Sequence, residues 1–207
     1  MTAENIIWYG HDTFEIRGKN VNIFTDPFQL TTKSKADIIL VTHSHYDHCS
    51  PEDIDKLLKN DTAIVASQDC KSKINGNVTG MTPGDSVEIK GVNIEAVHAY
   101  NIGKDFHPKE NQWLGFVFEL DGTRYYLAGD TDFIPEMKNL KDIDIAFIPV
   151  SGTYVMTAEE AVEATLAINP KLAIPMHFGA IVGSESDATL FKNKLEGKVQ
   201  VKILDSV

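Results

Sequence analysis

Six consecutive residues, His43-Ser44-His45-Tyr46-Asp47-His48, carry four imidazole or carboxylate groups and follow directly on the apolar run Ile38–Val41. Four branched aliphatic residues with no polar interruption read as a strand buried on both faces. Alternate side chains of an extended chain share a face, so His43 and His45 point the same way. A turn after Tyr46 then presents Asp47 and His48 to a second position. The same arrangement recurs along the chain: His98 ends Ile94–Val97, Asp130 follows Tyr125–Ala128 after one glycine, and His177 ends Leu172–Met176. Loops at the carboxyl ends of strands converge in one crevice of an α/β sheet. A fold that gathers these strand ends is the main constraint on the chain.

The remaining patterning agrees with such a fold. Short β-branched runs at Ile6–Tyr9, Thr13–Arg17 and Val21–Thr25 are separated by turn residues, and further strands are expected at Ala63–Ala66, Val78–Thr82, Ser86–Lys90 and Val92–His98. An irregular stretch, Ala99 to Gln112, precedes a hairpin of Leu114–Leu120 and Thr123–Ala128 about the turn Asp121-Gly122. Ile145–Pro149 and Leu172–Met176 read as buried strands, and Val199–Leu204 as the last one. Helices are expected from Ser50-Pro51-Glu52-Asp53, over Thr157–Ile168 behind a capping box, and over roughly Ser186–Leu195. Strand clusters in both halves, each followed by helix, predict a four-layer αββα sandwich, two mixed sheets face to face with helices outside, over a single domain 1–207.

Composition narrows the partners. The net charge of −11 repels phosphate backbones, so nucleic acid is disfavoured. No apolar run is long enough to span a bilayer, and the opening residues show no signal peptide, which makes a cytoplasmic protein with no membrane contact the expectation. Two cysteines without a CxxC spacing fit a reducing compartment, and Cys49 beside the cluster reads as a packing residue. Oligomeric state is open, a homo-oligomer included.

Imidazole and carboxylate are the ligands of zinc, with manganese or iron as alternatives, rather than of calcium. Two divalent ions are expected: His43, His45 and His98 around one, Asp47, His48 and His177 around the other, and Asp130 bridging. A bridging hydroxide would then be the nucleophile. His107, in the loop over the site, is the candidate acid for the leaving group, with Asp130 second. His11 is read as a residue supporting the ligand shell, and Lys109 as a contact for a substrate anion or a solvated side chain. Phe106, Trp113 and Tyr154 are candidates for an apolar wall, Trp113 and Tyr154 reading equally well as core.

Thr25-Asp26-Pro27, the Thr42–His48 segment, His98, Gly129-Asp130-Thr131 and Pro175-Met176-His177-Phe178-Gly179 resemble, in this order, the metallo-β-lactamase fold superfamily. Trp8-Tyr9-Gly10-His11-Asp12 and His107-Pro108-Lys109 are similar to its compact lactonase-like branch, which includes ascorbate-6-phosphate lactonase. The resemblance implies the same seven ligands and adds Asp26 as an acceptor orienting a ligand imidazole. His45 stands where the iron-containing, oxygen-reducing relatives carry glutamate, which weakens a redox reading. The resulting expectation is a dinuclear metal-dependent hydrolase acting on a small anionic ester, lactone or phosphodiester. The alternatives are a non-catalytic metal or ligand sensor and a metal-dependent oxidoreductase.

Overall fold

The computed structural model describes residues 3–207. One sheet holds β1 (Ile6–Trp8), β2 (Phe14–Arg17), β3 (Asn22–Thr25), β4 (Ile38–Val41), β5 (Ala63–Ser67) and β6 (Val78–Met81), side by side in chain order. β1 to β3 are antiparallel, and β3 to β6 run parallel. The second sheet holds β7 (Ser86–Ile89), β8 (Val92–His98), β9 (Leu114–Leu120), β10 (Thr123–Leu127), β11 (Ile145–Pro149), β12 (Leu172–Met176) and β13 (Gln200–Val201), again in chain order. Here β7 to β10 alternate in direction and β10 to β13 run parallel. Both sheets are mixed, and together with the helices they form the α/β sandwich that the patterning predicts.

Period-two alternation explains how β4 can be apolar throughout. Ile38 and Leu40 join the cluster between the sheets, while Ile39 and Val41 pack outward with Ile54 and Leu57 of α1 (Pro51–Leu57). Between the sheets, Phe14 meets Phe147 with ring centroids 4.4 Å apart, and Phe118 stacks on Tyr125 at 5.0 Å. α2 (Ala158–Ile168) lies on β11 and α3 (Glu185–Leu195) on β12.

The helix starts follow from their caps. Ser50 accepts the Asp53 amide at α1, and at α2 Thr157 and Glu160 exchange both bonds of a capping box. Asp53 does more: its carboxylate also accepts the Gln29 and Leu30 amides at 2.8 and 3.0 Å, tying the β3–β4 loop to α1. The β9–β10 turn places Asp121 and Gly122 at φ 52° and 77°, the left-handed pair that a tight hairpin requires. The expected last strand is shorter than its apolar run. Only Gln200–Val201 pairs, because the chain then leaves β12 and crosses to β1, where Val207 donates to the Trp8 carbonyl at 3.1 Å. Among the described residues no helix is long and apolar enough to cross a membrane.

Candidate metal centre

β4 ends at Val41, and the next seven residues turn through the crevice between the sheets, with His48 and Cys49 amides both folding back on the His45 carbonyl. His43 Nε2 and His45 Nδ1 come to 3.1 Å of one another. After β10, Gly129 turns the chain at φ 66°, where a Cβ would meet the Leu114 carbonyl oxygen at 2.6 Å, so only glycine fits. That turn delivers Asp130. His48 Nε2 lies 3.4 Å from Asp130 Oδ1, while His107 Nε2 and His177 Nε2 lie 3.2 and 3.1 Å from Asp130 Oδ2. His11 Nε2 lies 3.2 Å from Asp47 Oδ2. His11 and His177 both adopt left-handed backbone, φ 50° and 60°, and the His177 amide donates to the His11 carbonyl. Such conformations cost energy in non-glycine residues and concentrate at functional sites.

Four overlapping groups result: His43, His45 and His107; His11, Asp47, His48 and His177; His43, His48 and Asp130, which joins these two; and, behind them, Asp12, Asp26 and His48. His98 belongs to none. Its ring sits edge-on to Tyr100 and lines a cleft with Ile134 and Met137, so the expectation for this residue is corrected. The chain continues past the end of β8, and the loop returns at His107, whose carbonyl accepts the Asn101 amide at 2.8 Å. His107 therefore joins His43 and His45 where His98 was expected, and His11 stands among the donor atoms rather than behind them.

Hydrogen bonds on the far side of each ring decide which nitrogen faces the centre. Asn101 gives its amide protons to Asp132 and the Tyr154 carbonyl, so its Oδ1 must be the atom that accepts His107 Nδ1–H at 2.9 Å. Asp26 accepts the Thr42 amide and Thr42 hydroxyl, each at 2.7 Å, and His48 Nδ1–H at 2.9 Å. With its proton committed to Asp26, Thr42 Oγ1 accepts His43 Nδ1–H at 3.0 Å. Ser151 Oγ faces His177 Nδ1 at 2.9 Å. Imidazoles pinned in this way turn the Nε2 lone pair toward the centre. Sequence reasoning missed Thr42, Asn101 and Ser151. Ser151 follows β11 closely enough for the strand-end argument to have found it, whereas nothing local distinguishes Asn101.

Charge is distributed unevenly over these groups. Burial opposes ionisation of His48 and His177, yet the Asp130 carboxylate beside them holds both above the usual imidazole value. Burial and the neighbouring His48 push His43 well below that value, and burial takes His11 down to about 4. Burial also works against an ionised Asp130, but His177 and His48 keep it well below the carboxylate range. Behind them, Asp12 is fully buried, 3.8 Å from His48 Nδ1, and burial raises it to about 7.

The donors fit divalent ions. Ligand atoms held at zinc's usual 2.0–2.1 Å in a tetrahedron stand about 3.3 Å apart. The contacts His43–His45, His107–Asp130, His177–Asp130, His48–Asp130 and His11–Asp47 run from 3.1 to 3.4 Å. His48 Nε2, His107 Nε2 and Asp130 Oδ1 are buried without a hydrogen-bond partner, a state that is costly unless a cation engages them.

The family model described as the beta-lactamase superfamily domain matches residues 5–177. A protein named UPF0173 metal-dependent hydrolase from Thermoplasma acidophilum is 35% identical over 202 residues, covering 90% of this chain and 88% of its own. Its counterpart from Thermoplasma volcanium is 37% identical, covering 91% and 89%. A Parabacteroides distasonis protein of known crystal structure superposes with a TM-score of 0.88 at 36% identity, over 98% of this chain and 93% of that one.

Proposed function

From a chain that belongs to the beta-lactamase superfamily, we propose a metal-dependent hydrolase that holds two divalent ions, zinc foremost, and cleaves an ester, lactone or phosphodiester bond. His43, His45 and His107 would hold one ion, and Asp47, His48, His177 and His11 the other, with Asp130 between them. When bound, such ions make hydroxide available near neutral pH and polarise the oxygen of the bond to be cleaved. The observation that carries the reading is the set of buried atoms without a hydrogen-bond partner around one carboxylate: His48 Nε2, 3.4 Å from Asp130 Oδ1, that oxygen itself, and His107 Nε2, 3.2 Å from Asp130 Oδ2.

The chain's own groups do the preparatory work. Asp26, Thr42 and Asn101 hold His48, His43 and His107 by Nδ1, and Ser151 contacts His177 at Nδ1, so Nε2 of each ring is turned to the centre; His48 and His177, which Asp130 favours in the charged form, would give up a proton on binding an ion. His43 and His48 are fully enclosed, which excludes competing water from their side of the centre. In this reading His107 is a proposed ligand rather than the acid expected from the sequence, because its Nδ1 is held by Asn101 and its Nε2 faces Asp130. Asp130, held ionised, is no better placed to give a proton.

The test is metal quantification on protein purified after growth with zinc and manganese, paired with turnover on ester, lactone and phosphodiester panels. About two ions per chain and turnover that chelation removes and metal restores are expected. Retained metal with no turnover on any panel would overturn the hydrolase reading in favour of a ligand sensor.

A further inference from the structure

The centre opens through a cleft of about 230 Å³ lined by His45, Tyr46, Asp47, Phe106, His107, Asp130, Tyr154 and Ile181. Its inner end is the proposed metal centre. Its outer end is apolar: Tyr46, Phe106 and Ile181 are 68%, 47% and 40% exposed. Large apolar groups left exposed around one cleft mark a contact surface. The wall is also ordered. Phe106 meets the Tyr154 ring edge-on at 4.7 Å, and the Tyr154 backbone carbonyl is held by the Asn101 amide that also fixes His107. Tyr46 in turn rests edge-on against Phe28, 5.9 Å away.

Among the described residues, no lysine or arginine lines this cleft. The nearest cations along the loops are already engaged. Lys104 is bound to Asp132 and the Val155 carbonyl, Lys109 to Glu136, and Lys73 to the Ser44 carbonyl. Size adds a bound. An apolar cavity of about 150 Å³ holds one benzene ring, so 230 Å³ takes one ring together with the group being cleaved.

Resting on the hydrolase reading above, we propose that Tyr46, Phe106, Tyr154 and Ile181 form a subsite for one uncharged aryl or branched-alkyl group carried next to the scissile bond. The substrate is then an ester or lactone that carries an apolar substituent at the outer end of the cleft, beside the scissile bond.

Matched pairs of esters and lactones differing in one substituent, phenyl against carboxylate, are assayed on metal-loaded protein. The phenyl member is expected to have a kcat/KM at least about ten-fold higher, and Phe106→Ala and Ile181→Ala to shrink that ratio chiefly through KM. Equal or reversed preference, or a ratio that both variants leave untouched, overturns the subsite. Binding of benzyl alcohol to the same proteins by saturation-transfer NMR separates the two readings. Saturation transfer that weakens in both variants supports the subsite even if no ester or lactone is turned over, an outcome that would sink only the hydrolysis. No benzyl alcohol binding to the unaltered protein overturns the subsite even if hydrolysis is found.

Discussion

Replacing Asp26 by asparagine keeps the shape of the side chain but reverses two of the three hydrogen bonds that its carboxylate accepts. Asp26 Oδ1 accepts the Thr42 amide, so the asparagine oxygen takes that place and its NH₂ falls where Oδ2 was. That NH₂ would then face His48 Nδ1 and Thr42 Oγ1, which now donate to Oδ2 at 2.9 and 2.7 Å. His48 must accept at Nδ1 and carry its proton on Nε2. Thr42 must accept too, turning its own proton to His43 Nδ1, so His43 also moves its proton to Nε2. One substitution therefore blocks a lone pair in each proposed ion position. Loss of a single orienting partner costs about 10–100-fold in metal affinity, or about 1.4–2.7 kcal/mol. For Asp26→Asn we expect a loss in that range at both positions, and for Thr42→Val at only one. Zinc competition against a chromophoric chelator measures both constants, with circular dichroism checking that the fold persists. Affinities within two-fold of the unaltered protein at both positions would refute the proton assignment.

His107→Ala should lose at least one bound ion and most turnover, while His98→Ala should keep both ions, as counted by plasma emission spectroscopy; the opposite result would restore the strand-end assignment. Asp53→Asn removes a carboxylate held below its usual range, despite burial, by Lys56, Ser50 and two amides. A depressed folded value means that the stabilisation is fully present above the unfolded value of about 3.9 and disappears as pH falls through the folded one. Urea melts should accordingly show a stability gap of about 1–3 kcal/mol near pH 7 that narrows toward pH 3; a gap independent of pH would rule the cause out. Tyr126 is fully buried and its hydroxyl has no hydrogen-bond partner. Tyr126→Phe should raise stability by about 1 kcal/mol, moving the melting temperature up by about 2–4 °C, whereas a lower melting temperature would mean that a bound water satisfies the hydroxyl.

The layers of the fold were legible because each strand carries its own evidence. Ile38–Val41 needs two buried faces, and a chain rich in such runs has few ways to supply them. Helix starts were legible for a similarly local reason, since Ser50 and Thr157 satisfy amides only three residues away. Val199–Leu204 shows the limit. Its apolar pattern is real, but Ile203 and Leu204 pack on the core without pairing, and pattern alone does not distinguish the two.

The centre was legible to the extent that its donors end strands or crowd one hexapeptide, and it became illegible where a loop intervenes. His98 and His107 are nine residues apart, one ending β8 and the other in the loop after it, and both are chemically competent. What separates them is the path of the intervening chain. Asn101 binds the Asp132 side chain, the Tyr154 carbonyl and both the carbonyl and ring of His107, so a single polar residue closes the loop and aims the imidazole. Those partners lie 31, 53 and 6 residues away, a spread that no short-range periodicity encodes. The same loop places Phe106 on the cleft wall beside Tyr154. Loop closure thus sets the proposed metal ligand and the proposed substrate wall together. Breaking the Asn101 contacts should therefore weaken metal binding and blunt the preference for apolar substrates in one stroke, whereas separate effects would mean that the loop does not act as a unit.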